Sequence, residues 1–72
     1  MNANKIRGRM AEMKLTQKDI AQKSVWDCAL PTVSQKLNGI RPMSLDEANA
    51  LAELLRLDEK EYYEFFFGKI IA

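Results

Sequence analysis

Apolar residues recur along this chain at helical spacing, and no long run of β-branched residues offers a strand to grow from. Ile6, Met10 and Met13 form one stripe, which predicts a first helix over about Lys5–Lys14 with Asn4 as its cap. Ile20 and Ala21 mark the inner face of a second helix, Gln17–Ser24. Val33 and Leu37 face the same way in a third, Leu30–Asn38, which Gly39 stops by entering the left-handed conformation after the C-cap. Ala48, Leu51, Ala52 and Leu55 define a fourth, Leu45–Arg56. Tyr62, Tyr63, Phe65, Phe66 and Phe67 crowd a fifth, Glu59–Phe67, which Gly68 ends.

Three of these starts share one chemical signature, an oxygen-bearing cap followed three residues later by an acid. Thr16 with Asp19, Ser44 with Glu47 and Asp58 with Glu61 each read as a capping box, in which the two residues satisfy each other's orphan backbone N–H groups. Asp is a poorer partner than Glu, so the first box is the weakest. The connections are short and no linker or repeat interrupts them. The expected fold is therefore all-α, a compact bundle of five short helices in a single domain over residues 1–72, close to the lower size limit for a self-sufficient core.

Composition narrows the chemistry. Cys28 is the only cysteine and there is no histidine, which argues against a zinc site or a Cys–His nucleophile. No acid–base constellation stands out. No enzyme activity, metal, cofactor or small-molecule substrate is expected, and Cys28 reads as a small filler in a turn. No stretch approaches the roughly 20 apolar residues that span a bilayer, and the polar Met1–Lys5 lacks the apolar core of a secretion signal. With a lone cysteine, the expected setting is the cytoplasm and no membrane is involved.

The net charge of +1 is uninformative, but its distribution is not. Met1–Met43 holds eight Lys/Arg against three acids, and Ser44–Ala72 holds three against seven. A basic half joined to an acidic half suits one surface that faces a polyanion and another that does not.

The stretch Leu15–Gly39 carries the functional signal. Ala21, small and inward, lets a second helix cross close to the first. The following helix sets Thr32, Ser34, Gln35 and Lys36 opposite Val33 and Leu37, a face rich in hydrogen-bonding groups and free of carboxylates that phosphate would repel. This segment resembles the helix-turn-helix of the Cro/repressor-type family of phage and bacterial transcriptional regulators. Leu15-Thr16-Gln17 with Ile20-Ala21 is similar to the family's first motif helix. Val33 through Leu37-Asn38-Gly39, then Arg41-Pro42, Ser44-Leu45 and Ala48, resembles the family's recognition helix and the segment after it. The likeness extends over about Ile6 to Phe67, including the acidic-aromatic close. Two departures stand out: Val25 where the family usually has glycine, and a turn about two residues longer, Ser24–Ala29. Trp26 is expected to pack as an anchor for that turn, and Pro31 to fit the first turn of the third helix.

The resemblance implies a lambda-repressor-like domain in which helices 2 and 3 form the motif. Its partner would be double-stranded DNA, bound sequence-specifically by a phage- or prophage-type regulator, a repressor. It implies base reading by Thr32, Ser34 and Gln35 in the major groove. It also implies phosphate contact by Gln17 and Lys18 at the start of helix 2, aided by the helix dipole, by Lys36 and Asn38 at the far end of helix 3, and by Arg41 beyond it. Two further readings of the residues stay open. The aromatic helix and the tail with Ile70 and Ile71 carry more apolar surface than one small bundle covers, which points to a homodimer. The scaffold also suits a helical protein-interaction module that does not bind DNA.

Overall fold

The computed structural model of the chain describes residues 1–67. Five helices succeed one another: α1 (Ala3–Glu12), α2 (Gln17–Ala21), α3 (Leu30–Leu37), α4 (Leu45–Leu54) and α5 (Glu59–Phe67). No strand occurs among the described residues. The predicted Gly68 stop and the tail with Ile70 and Ile71 lie outside them.

The helix starts come from local chemistry. Ser44 Oγ accepts from Glu47 N–H (3.1 Å) while the Glu47 carboxylate accepts from Ser44 N–H (2.9 Å). Asp58 and Glu61 repeat the exchange at 2.7 and 3.2 Å. At α2 the Asp19 carboxylate accepts both the N–H and the hydroxyl of Thr16, at 2.7 and 3.2 Å. At α1 the expectation fails by two positions. Asn2, not Asn4, is the cap and accepts from Lys5 N–H at 3.2 Å, and Asn2 N–H is itself held by Phe65 C=O at 2.6 Å. Packing against α5 thus starts α1 earlier than its apolar stripe indicates.

Three helix ends share one geometry. After α3, Gly39 takes φ 76°, its N–H bonds Lys36 C=O (3.2 Å) and Ile40 N–H bonds Gln35 C=O (2.9 Å). This paired closure satisfies carbonyls that the helix leaves orphaned. The same pair of bonds ends α1 around Lys14 (φ 57°) and α4 around Arg56 (φ 54°). Two cationic side chains therefore occupy a conformation that ordinarily favours glycine. Consequently α1 stops at Glu12 rather than Lys14, and α4 at Leu54 rather than Arg56; Asn38 caps α3 from outside.

The second helix is shorter than predicted, ending at Ala21 rather than Ser24. Gln22 turns to extended geometry, and the chain then folds back on the end of α2. Trp26 N–H bonds Ile20 C=O (3.0 Å), Cys28 N–H bonds Ala21 C=O (3.3 Å), and both Val25 and Asp27 N–H bond Gln22 C=O. Asp27, at φ 48°, takes the left-handed position of this turn. Trp26 anchors it as expected: the indole is buried and its Nε1–H donates to Glu47 C=O at 2.8 Å.

One core joins every element. Ile6, Ile20, Val33, Leu37, Leu51 and Leu55 are fully buried, with Met10, Trp26, Phe65 and Phe66 around them. α2 packs on α3, and α1 packs on α5. The radius of gyration, 11.3 Å, matches the roughly 11 Å of a globule of this length.

Candidate nucleic-acid interface

Val33 and Leu37 anchor α3 to the core, so its other sides are available. Thr32, Ser34, Gln35 and Lys36 are each partly exposed, and no acid lies on the helix. Of the three expected base-reading residues, Ser34 is engaged within the protein, accepting from Asn38 Nδ2 at 3.3 Å. The most open positions of α3 are its first two, Leu30 (41% exposed) and Pro31.

The start of α3 also differs chemically from those of α1, α4 and α5. Ala29 occupies the cap position and supplies no side-chain acceptor. Pro31 has no N–H to satisfy. This end is the open one.

At α2, Gln17 is the first helical residue and partly exposed, and Lys18 is exposed. The expected help from a helix dipole is small here. The helix has only five residues, and the anion at its start is the protein's own Asp19 carboxylate. Any contact to phosphate at this end falls to the Gln17 and Lys18 side chains.

The far end of α3 departs most from expectation. Lys36 Nζ is paired with the Glu47 carboxylate and lies over the Trp26 ring, 5.7 Å from its centroid. Burial alone would push the Glu47 carboxyl up, but the Lys36 hydrogen bond and charge, with the Ser44 N–H, together hold it below the usual value of 4.5. Lys36 is thus a bracket between α3 and α4. Asn38 is exposed, but its amide is occupied on both sides, accepting from Arg7 and donating to Ser34. Arg41 is exposed in the loop after α3, its own N–H bonded to Gln35 C=O at 3.2 Å.

The charge halves are partly stitched together. Lys5 pairs with Glu64, Arg9 with Glu61 and Lys36 with Glu47. Glu47 and Glu61 each use one oxygen to cap a helix and the other to hold a cation from the basic half. Among the described residues, Arg7, Lys14, Lys18, Lys23 and Arg41 of that half have no carboxylate within 4.0 Å. The unpaired cations are fewer than the count of Lys and Arg suggests.

No cluster of three or more metal-ligating side chains occurs among the described residues, and none of their helices is long and apolar enough to cross a membrane. Cys28 is partly buried in the α2–α3 turn. No protein-family model, curated protein or solved structure matches this chain.

Proposed function

We propose that the chain is a cytoplasmic, sequence-specific double-stranded DNA-binding protein of the Cro/repressor type, with α2 and α3 as its helix-turn-helix. The observation that carries this reading is α3 itself. It is pinned by Val33 and Leu37, packed against α2, free of acids, and without a side-chain cap at its start. Such a helix offers hydrogen-bonding side chains to base edges and no carboxylate to repel phosphate. Thr32, Ser34 and Gln35 read bases, while Leu30 supplies an apolar surface suited to thymine methyl groups. Gln17, Lys18 and Arg41 contact the backbone. Binding at a promoter would repress by occlusion.

The test separates the two kinds of contact. Gln35→Ala should relax preference at one base position by ~1–3 kcal/mol. Arg41→Ala should weaken specific and random duplexes alike and flatten the salt dependence. Equal effects of both changes on both duplexes would refute the assignment.

A homodimer through α5 belongs to the same reading. Tyr63 is 56% exposed and Phe67 38%, their rings 5.6 Å apart, and Phe67 borders a groove lined also by Met43, Leu45 and Phe66. Half-sites about one helical turn apart would be expected of its operator. Sedimentation showing only monomer at high micromolar concentration, with and without DNA, would remove the dimer.

A further inference from the structure

Arg7 lies on α1, outside the segment to which DNA contacts are assigned, yet its side chain reaches the end of α3. Its guanidinium donates to Asn38 Oδ1, and Asn38 Nδ2 donates in turn to Ser34 Oγ. A chain of polar contacts therefore runs from a cation on one helix to a base-reading residue on another. Arg7 is exposed, and among the described residues no carboxylate lies within 4.0 Å of it. Its helix neighbours Lys5 and Arg9 are both paired with acids of α5.

The supply of donors at this end of α3 makes the difference matter. Lys36 is held by Glu47, and the Asn38 amide is used on both sides. A guanidinium has five N–H donors, and the bond to Asn38 uses one. The negative end of the α3 dipole adds a modest attraction that keeps the cation there. The remaining fork matches phosphate geometry, which a lone amide does not.

The geometry points to Arg7 as a phosphate-binding residue of the DNA interface, set at the C-terminal end of α3 by its bond to Asn38. This rests on the reading of α3 as the recognition helix. The test measures binding of the wild-type chain, Arg7→Ala, Arg7→Lys and Arg56→Gly to a selected duplex and to a random duplex across a salt series. Arg56, an exposed cation after α4 with no part in the DNA or dimer surfaces, serves as the control, and its left-handed geometry accepts glycine. Circular dichroism checks that each variant is folded.

Arg7→Ala should weaken both duplexes by the same factor and make the slope of log affinity on log salt shallower by about one. Arg7→Lys should keep most of the slope, and Arg56→Gly should change neither quantity. An Arg7→Ala that matches Arg56→Gly while the wild type binds would overturn the proposal. So would a loss confined to the selected duplex with an unchanged slope, since that is the mark of a residue that only positions Ser34. Failure of the wild type to bind any duplex would overturn the DNA reading itself, and that result is visible before any variant is made.

Discussion

The start of α3 and the starts of α4 and α5 are built to opposite rules. Both α4 and α5 begin with complete capping boxes and carry acids in the first turn. Their glutamates spend their second oxygens on Lys36 and Arg9. α3 has neither a side-chain cap nor an acid, and α2 is only five residues long. The start of α3 is exposed and uncapped while its far end is tied by Lys36 and Asn38; α4 and α5 commit their acids to holding the bundle together.

The largest effect should come from removing the bolt between the halves. Trp26→Ala takes a buried indole from the α2–α3 turn and orphans its bond to Glu47 C=O. A loss of about 3–5 kcal/mol is expected, enough to threaten folding in a domain this small, and thermal denaturation reads it directly. Trp26→Phe, which keeps most of the ring and loses the donor, should cost clearly less. Equal costs would mean that the indole hydrogen bond, not packing, anchors the turn.

A smaller effect is expected at Glu47, where capping and pairing meet. Glu47→Gln should cost about 1 kcal/mol at neutral pH. The folded-state pKa is depressed, so this carboxylate contributes stability in full above its unfolded value, and that contribution is lost as pH falls through the folded value. The gap between wild type and Glu47→Gln should therefore close below about pH 4.5, as followed by denaturant midpoints across pH. A gap independent of pH would show that the ion pair with Lys36 contributes nothing.

The smallest effect has the opposite sign. Lys14 and Arg56 sit in left-handed geometry with side chains that gain little from it. Lys14→Gly and Arg56→Gly should each stabilise by up to about 1 kcal/mol, and Gly39→Ala should destabilise. A loss of stability in both glycine variants would mean that these cations hold the helix ends by charge.

Legibility in the sequence tracks the range of each interaction. The Ser44–Glu47 and Asp58–Glu61 caps were legible because both partners lie three residues apart. Val33, Leu37 and Gly39 placed the end of α3 for the same reason, and Trp26 announced itself by its size in a polar turn. The true ends of α1 and α4 were hidden because Lys14 and Arg56 stand where glycine is usual. The left-handed residue of the long turn fell at Asp27, two places after Val25. Lys36 looked free because Glu47 is eleven residues away, and Arg7 gave no signal because Asn38 is thirty-one away. No local pattern encodes such meetings.

The proposal that α3 reads duplex DNA stands or falls on one measurement. Selection from a random duplex pool, followed by a salt titration on the recovered sequence, tests it most directly. The predicted result is a defined consensus, bound with an affinity that falls steeply with salt and far exceeds that for random duplex. Recovery of no consensus, with no salt-dependent affinity for any duplex, would contradict it and turn attention to the aromatic face of α5 as a protein-binding surface.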